Sequence, residues 1–371
     1  MSKRIQLQKN NTIRMIMAKY QEIVGWISEQ IDKGDYPPGS KIPSENELCR
    51  KFGISRQTVR HAIAYLIEEG KLTAERGSGT YVKGDFVENS SKRIAVVTTY
   101  VDSYIFPKTI QGIENKLTEY GYTMQLSFTG NTFTKERAIL QDILDNGDVA
   151  GLIIEPSRSA LPNPNIDLLT ELDRRGTRIL FLNSNYTQLP FPHVSLADKE
   201  CAYHAVRELI QAGHRSIACI LKLDDRQGHE RYSGYLKAMM EAGLPVRDEW
   251  VVWLDTDDIS HMKDNYERIR RRFEGCTALF AYNDQVAVDA IGILQAAGIK
   301  VPGRMSVVSM DDSDMAMMNG LALDSVPHPK ERLGAKAAEN IIHLIHNKDF
   351  EGTFEFVEDV IQRGSVRSIK K

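Results

Sequence analysis

The sequence predicts a multidomain chain, in which a small α+β head precedes a two-lobed α/β body. At 371 residues the chain exceeds the ~250–300 residues at which a single hydrophobic core usually stops growing. Short helical patterns separated by tight turns occupy the N-terminal part, whereas apolar strand-like runs alternate with helical patterns beyond residue 92. The polar stretch 84–92 lies between these two textures and predicts a linker.

Composition describes a globular protein, with 42% apolar and 26% charged residues. No window of about 18 apolar residues occurs, so we expect no membrane-spanning helix. Residues 1–16 are basic but lack the apolar core of a secretory signal, and they predict a disordered extension. The cysteines form no C-x-x-C pair, which favours a reducing cytoplasm and gives no support for a zinc site.

Charge is distributed unevenly along the chain. Residues 1–90 carry 14 Lys and Arg against 11 Asp and Glu, and the rest of the chain carries 33 against 39. A basic head on an acidic body is compatible with a polyanionic partner for the head.

The head, residues 17–83, begins with a helical pattern from Tyr20 that ends in the breaker cluster GDYPPGS. A second, short helix follows, because Ser44 and Glu47 form a capping box and Gly53 supplies a left-handed stop. Ser55 is the expected N-cap of a third helix. The run KLTAERGSGTYV then predicts a β-hairpin. These elements together predict a winged helix-turn-helix.

The third helix places Arg56, Gln57 and Arg60 at its start, opposite an apolar face. This pattern fits the polar start of an ordinary amphipathic helix, and it also fits a helix that reads base edges in a DNA major groove. The capped helix before it and the hairpin after it favour DNA recognition. Ser44, Thr58 and the backbone near Gly77 and Gly79 are candidates to hold phosphates.

The body, residues 93–371, contains eight apolar runs that each predict a buried strand. They are RIAVV, YTMQLSF, AGLIIE, RILFLN, SIACIL, WVVWL, ALFAY and MSVVSM. Because helical patterns separate most of them, we expect parallel sheets covered by helices on both faces, arranged as two lobes. A ligand would bind in the crevice where the strand ends converge.

The head resembles the winged-helix domain of GntR-type bacterial transcription regulators in the segments PPGSKIPSENEL, FGISRQTVR and RGSGTYV. This resemblance implies that Arg56, Gln57, Thr58 and Arg60 lie in the major groove of operator DNA. It also implies that Ser44 and Glu45 approach the DNA from the start of the second helix, and that Arg76 and Gly79 lie near the minor groove.

The body resembles the effector domain of LacI/GalR-type regulators, which is similar in fold to periplasmic sugar-binding proteins. The matching segments include GHRSIACI, RYSGYLKAM and ALFAYNDQVAVDAIGILQAAGIKVPGRMSVVSMDDSDMA. A GntR-type head on such a body is similar to the repressors of arabinose operons. The resemblance therefore implies a cytoplasmic homodimer that binds double-stranded operator DNA and is released by a monosaccharide effector, with L-arabinose as the expected sugar.

The LacI-type resemblance also implies which residues bind the effector. Asp284 ends the run ALFAY, and Arg231 is expected at the start of a helix. The remaining candidates are strand-end or loop residues that offer carboxylate, amide or aromatic groups to a sugar. They are Glu155, Asn183, Tyr100, Phe106, Trp253 and Asp312. Structural roles remain open for each residue, since a strand-end Asp often caps a helix and an Asp-rich loop is often only solvated.

Catalytic residues and cofactors are not expected. The sequence contains no P-loop, no G-x-S-x-G elbow and no H-x-x-x-H pair with an adjacent Glu. The alternatives are a regulator of the same type that responds to another sugar, or an enzyme or carrier with an accessory DNA-binding head.

Overall fold

The structure, a computed structural model, describes residues 20–31, 33, 35–36, 40–75, 79–83, 91–102, 104–320 and 322–370. The predicted extension 1–16, most of the predicted linker 84–92, Arg76 and Gly77 lie outside the described residues. The chain divides into two compact units. One unit holds the chain up to Ser90 together with Ile342–Glu351, and the other holds Ser91–Ile341 and Gly352–Lys371.

The head has the predicted three helices and hairpin. Its elements are α1 over residues 20–31, α2 Glu45–Phe52, α3 Arg56–Glu68, β1 Leu72–Glu75 and β2 Gly79–Val82. The two strands pair antiparallel, with Leu72 opposite Val82. A single apolar core joins all five elements through Ile23, Ile27, Leu48, Val59, Leu66, Leu72 and Val82.

The helix caps predicted for α2 and α3 are present. Ser44 Oγ accepts a hydrogen bond from the Glu47 amide at 3.4 Å, and the Glu47 carboxylate accepts one from the Ser44 amide at 2.8 Å. Gly53 adopts a left-handed φ of 62° after α2, and Ser55 caps α3 by accepting from the Thr58 amide at 3.3 Å. Only residues 53–55 separate the two helices, so the first turn of α3 starts at a sharp, capped corner.

The body contains two sheets in which every strand pair is parallel, as predicted. The first sheet has the order β13-β7-β6-β5-β3-β4 and the second has the order β12-β11-β10-β8-β9. The strands of the first sheet are β3 Arg93–Thr98, β4 Thr123–Phe128, β5 Gly151–Ile154, β6 Arg178–Leu182, β7 His193–Leu196 and β13 Phe354–Phe356. The strands of the second are β8 Ile217–Lys222, β9 Val251–Leu254, β10 Ala278–Ala281, β11 Ser306–Asp311 and β12 Asp324–Pro327.

All eight predicted strands are present, but the prediction that each is buried was wrong for β4, which lies at a sheet edge and has no buried residue. Three further strands within the described residues were not predicted. These three, β7, β12 and β13, are only three or four residues long and contain His, Asp, Pro or Glu. Each lies at or beside a sheet edge. Such sequences are poor strand formers, and pairing with an existing sheet outweighs their local preference.

Helices cover both faces of the central strands, since β8 and β11 are buried at all six of their positions. The helices of the body are α4 Phe106–Glu119, α5 Phe133–Asn146, α6 Ile166–Arg174, α7 Asp198–Gln211, α8 Arg226–Glu241, α9 Thr256–Ser260, α10 Tyr266–Arg272, α11 Asp284–Ala296 and α12 Lys330–His346. Short 3₁₀ segments lie at Asp248–Trp250, Met262–Asn265 and Asp314–Gly320.

The chain passes between the two lobes three times. It leaves the first sheet after β7, because α7 packs against β11 and β12 of the second sheet. It returns between β12 and β13, and it crosses again when Ile361 pairs with Ser325 beside β12. Three crossings allow the lobes to move as units about a common hinge.

Candidate functional site

The first turn of α3 exposes the arginines that the sequence predicts for DNA recognition. The side chains of Arg56 and Arg60 are 67% and 70% exposed, and Gln57 is also exposed. Thr58 is half-buried, and its hydroxyl lies 2.9 Å from Ser55 Oγ. The helix therefore presents guanidinium and amide groups outward from a buried apolar face.

Glu45 joins α2 to this exposed surface. Its carboxylate accepts a hydrogen bond from Arg56 Nε at 2.7 Å and lies 3.5 Å from Arg60 Nε. This hydrogen bond raises the pKa of the Arg56 guanidinium. Exposed ion pairs contribute little stability, so the arginines can exchange Glu45 for phosphate or base edges. Ser44 is exposed at the same helix start, and Gly79 begins the second strand of the hairpin with a φ of 144°.

The body contains a cavity of about 1050 Å³ between its two lobes. Its walls include Thr99 and Glu155, which follow β3 and β5, and Asp225 and Tyr282, which follow β8 and β10. The order of the first sheet reverses between β3 and β5, and that of the second reverses between β8 and β10. The cavity therefore lies at the switch points of both sheets, where parallel sheets bind ligands.

Arg231 lies in the second turn of α8 rather than at its start, and it lines the cavity while its side chain is only 1% exposed. The prediction of a helix start was wrong because α8 begins five residues earlier, at Arg226. Arg231 Nε donates to Asp198 Oδ1 at 2.7 Å, and Nη2 donates to Asp311 Oδ1 at 3.2 Å. A third hydrogen bond runs from Nη1 to the carbonyl of Tyr282.

This buried cluster has one cation between two carboxylates. Burial lowers the pKa of Arg231, but attraction by Asp198 and Asp311 outweighs burial and raises it, so the guanidinium is charged. Burial raises the pKa of Asp198 to about 6, although Arg231 partly offsets this effect. Close packing supports the cluster, because a Cβ on Gly234 of α8 would lie 2.2 Å from the carbonyl of Lys199 in α7.

Asp284 is fully buried, and the structure places it behind the cavity wall. Its carboxylate accepts hydrogen bonds from Ser325 Oγ at 2.7 Å, from the Ser313 amide at 2.6 Å and from Ser309 Oγ. Burial raises the pKa of Asp284, and the Ser309 hydrogen bond partly offsets the rise. The cap of α11 is the neighbouring Asn283, whose side chain accepts from the Val286 amide.

Glu155 lines the cavity, and hydrogen bonds from neighbouring residues fix its carboxylate. It accepts hydrogen bonds from the Thr99 amide at 2.7 Å and from Asn183 Nδ2 at 2.8 Å. Asn183 does not line this cavity, and its Oδ1 lies 3.1 Å from Nε2 of His328 in the β12–α12 crossing. Burial raises the pKa of Glu155 and lowers that of His328 to about 4. Asn183 therefore links a cavity carboxylate to the hinge.

The four remaining predicted positions fall into two groups. Tyr100 and Phe106 both line the cavity, with ring centroids 5.6 Å apart, and they offer an aromatic wall to a sugar ring. Trp253 and Asp312 do not line it. Trp253 packs edge-on against Tyr232, and Asp312 pairs with Arg363 at 2.7 Å.

Several lining residues were not predicted from the sequence. Lys222 ends β8 and pairs with Asp225 at 2.6 Å, a position that the strand-end rule could have identified. Tyr104 donates from its hydroxyl to Asp311 Oδ2 at 2.8 Å, and no local pattern indicates this contact between distant segments. The described lining has six carboxylates and three Lys or Arg side chains. The carboxylates belong to Glu155, Asp225, Asp264, Asp289, Asp311 and Asp314, and the cations to Lys222, Arg231 and Lys263.

Backbone strain concentrates at this cavity. Among the described residues, the non-glycine positions with positive φ are Tyr104, Asn131, Arg158, Asn183, Asp311 and Asp312. Tyr104, Asn131 and Asp311 line the cavity, and each of the other three is adjacent in sequence to a lining residue. Such conformations persist where the surrounding structure holds them, and they cluster at ligand-binding sites, which makes this cavity the candidate ligand site.

No group of three or more His, Cys, Asp or Glu side chains within the described ranges could hold a metal ion. Among the helices of the described residues, none combines the length and the apolar character that a membrane span needs.

The head and the body of the chain each match a known protein family. Residues 19–82 match the model of bacterial regulatory proteins of the gntR family, and residues 206–366 match that of the periplasmic binding protein-like domain. The chain is 32% identical to the arabinose metabolism transcriptional repressor of Geobacillus stearothermophilus, over 97% of this chain and 100% of that protein. It is also 32% identical to the repressor of the same name from Halalkalibacterium halodurans, over 89% and 90% of the two chains.

Solved structures support the fold of the body. The transcription regulator CcpA of Lactococcus lactis is similar with a TM-score of 0.67 and 24% identity, over 75% of this chain and all of that one. A complex of the transcriptional regulator CelR with cellobiose has a TM-score of 0.65 and 21% identity, over 84% and 91% of the two chains.

A DNA-reading winged helix joined to a two-lobed domain with a ligand cavity defines a one-component transcription regulator. The full-length similarity makes the family specific. The chain belongs to the GntR-headed transcriptional repressors with a periplasmic-binding-protein-like body, the family that contains the arabinose metabolism transcriptional repressors. It is therefore a transcription regulator and not an enzyme.

Proposed function

We propose that this repressor binds operator DNA as a homodimer in the cytoplasm and that L-arabinose releases it by binding in the interlobe cavity. The observation that carries the proposal is the cavity at both switch points, in a chain similar over its whole length to arabinose metabolism repressors. Its carboxylates, amide groups and aromatic wall are the groups that hydroxyls and an apolar ring face require.

For the head, we propose that Arg56, Gln57, Thr58 and Arg60 contact the major groove, with Ser44 and Glu45 beside them. The exposure of the first turn of α3 supports this assignment. Arg76 and Gly79 are proposed for the minor groove on the family resemblance. Two heads related by a two-fold axis would meet two half-sites of a palindromic operator.

For the body, we propose that Arg231, Glu155, Tyr100 and Phe106 contact the sugar, because all four line the cavity. Asp284 and Asn183 would act indirectly, by positioning the walls through the hydrogen bonds described above. Trp253 and Asp312 have no place in the proposed contact set, since the structure puts them outside the lining.

Release requires the sugar to bind the state with low DNA affinity more tightly than it binds the state with high DNA affinity, typically by about 1–3 kcal/mol.

We further propose that residues 17–83 form the DNA-binding domain, that 84–92 form the linker and that 93–371 form the effector and dimerisation domain.

The test is isothermal titration of the protein with L-arabinose, D-ribose and D-galactose. We expect saturable binding of L-arabinose at one site per chain, weakened about tenfold or more in Glu155→Gln. Glu171→Gln is the matched control, because Glu171 pairs with Arg174 on α6 and does not line the cavity. Binding of another sugar alone would replace L-arabinose as the effector, and no binding of any sugar would contradict the proposed effector class.

A further inference from the structure

Hydrogen bonds join the two lobes across the cavity. Asn131, which follows β4 in the first lobe, donates from Nδ2 to Thr256 Oγ1 in the second lobe at 2.8 Å. Arg226 at the start of α8 donates its amide hydrogen to Ser159 Oγ of the first lobe at 2.9 Å. Contacts of this kind exist only while the lobes are close together, so they stabilise the closed arrangement of the body.

Tyr104 makes an interlobe contact to a buried carboxylate. It lies in the first lobe between β3 and α4, yet both partners of its hydroxyl lie in the second lobe. The hydroxyl donates to Asp311 Oδ2 at 2.8 Å and accepts from the Asp284 amide at 3.3 Å. Burial and the Asp311 carboxylate raise the pKa of Tyr104 well above its usual value, so the phenol keeps the proton that it donates.

The same contact connects Tyr104 to Arg231 through Asp311. Asp311 uses its other oxygen to accept a hydrogen bond from Arg231 Nη2 at 3.2 Å. The Asp311 carboxylate therefore binds Arg231 of its own lobe and Tyr104 of the first lobe at the same time. Tyr104 adopts a φ of 63° and Asp311 a φ of 96°, both in the left-handed region. A positive φ is unusual for a bulky residue such as Tyr104, and its tertiary contacts hold it in that conformation.

We propose that Tyr104 is an interlobe latch, which sets effector affinity by stabilising lobe closure around the bound sugar. The latch consists of Tyr104, Asp311 and the Asp284 amide. It is a positioning element, acting through closure and through Asp311, and it rests on the proposed function because it requires an effector in this cavity. A latch that forms only on closure raises the population of the closed state and tightens apparent binding in proportion.

The direct test is the variant Tyr104→Phe, which removes the hydroxyl and keeps the ring. Tyr186→Phe is a matched control, because Tyr186 also donates to a buried carboxylate, that of Glu136 at 2.8 Å. Both partners of this second pair lie in the first lobe and outside the cavity lining. Each variant thus loses one phenol–carboxylate hydrogen bond, but only Tyr104→Phe loses one that crosses between the lobes.

Titration with L-arabinose should give a Kd about tenfold higher for Tyr104→Phe than for the unaltered protein, and an unchanged Kd for Tyr186→Phe. Stopped-flow kinetics should assign the loss to faster sugar dissociation, because the latch forms after the sugar has entered. A Kd for Tyr104→Phe within twofold of the unaltered protein would overturn the latch, and so would equal weakening in both variants. Failure of the unaltered protein to bind sugar would instead contradict the proposed function.

A second measurement needs no variant. The Asp284 amide is in the first turn of α11, and its proton should exchange faster when the Tyr104 hydroxyl moves away. Hydrogen exchange of the unaltered protein, followed by mass spectrometry on peptides that include Asp284, should slow on saturation with L-arabinose. Unchanged exchange at saturating sugar would also overturn the latch.

Discussion

Replacing Arg231 by Met tests the buried charge cluster at the centre of the site. The guanidinium is 1% exposed and holds the carboxylates of Asp198 and Asp311 at 2.7 and 3.2 Å. Removing the cation leaves two buried carboxylates without their counter-ion, a change that typically costs about 3–5 kcal/mol. We therefore expect Arg231→Met to lower the free energy of unfolding of the body by about 3–5 kcal/mol at pH 7.5.

The pH dependence of this loss identifies its cause. The pKa of Asp198 in the folded protein is about 6, above its ordinary value of 3.8, and it should rise further without Arg231. The folded state then binds a proton more readily than the unfolded chain, which stabilises the fold as the pH falls. The difference in stability between Arg231→Met and the unaltered protein should therefore shrink between pH 7.5 and pH 5.5.

Urea unfolding followed by tryptophan fluorescence measures both effects, since Trp250 and Trp253 lie beside or within β9 of the body. The double variant Arg231→Met with Asp198→Asn is the control, because it also removes one unpaired carboxylate and should recover part of the loss. A single-variant loss below about 1 kcal/mol, or a loss that is independent of pH, would refute the charge-cluster reasoning.

Three further predictions concern the head, the cavity and the hinge. Arg56→Ala should abolish specific operator binding in electrophoretic mobility shifts while L-arabinose binding is retained; Arg271→Ala, also an exposed arginine, should change neither property. A phosphorylated or oxidised, anionic arabinose should bind at least about tenfold more weakly than L-arabinose in competition titrations, since Lys222 and Arg231 already face carboxylates. The unfolded chain protonates His328 below pH 6.5, whereas the folded protein does so only near pH 4. As the pH falls from 6.5 to 4, the free energy of unfolding of the unaltered protein should therefore decrease by up to about 3 kcal/mol more than that of His328→Gln. Urea unfolding at both pH values measures this difference.

Local sequence patterns predicted most of the fold. The capping box at Ser44, the N-cap at Ser55 and the left-handed Gly53 are all present, because each depends on residues within one turn. Most of the eight predicted strands of the body are apolar and buried along most of their length, as in β5, β8, β10 and β11, which is why their apolar runs identified them. The edge strand β4 is not buried, and its apolar residues identified it as a strand all the same. The short strands β7, β12 and β13 lack that signal and depend on the sheets they join.

The candidate site was predicted only in part. Their positions at the ends of strands predicted that Glu155 and Asp284 bind a ligand. Those positions did not show that the Asp284 carboxylate faces three serines rather than the cavity. The contacts of Arg231 come from α7 and β11, and Tyr104 reaches Asp311 across 207 positions of sequence. The direction in which a side chain points and the contacts between distant segments depend on tertiary packing, so no local sequence pattern predicts them.

The central claim is that one chain couples operator binding to a sugar in the interlobe cavity. Fluorescence anisotropy tests it most directly, by titrating the protein onto labelled DNA from its own upstream promoter at a fixed, stated salt concentration. We predict tight binding without sugar and an apparent Kd that rises by about 5- to 150-fold with saturating L-arabinose but not with D-ribose. An operator affinity that L-arabinose leaves unchanged would contradict the claim.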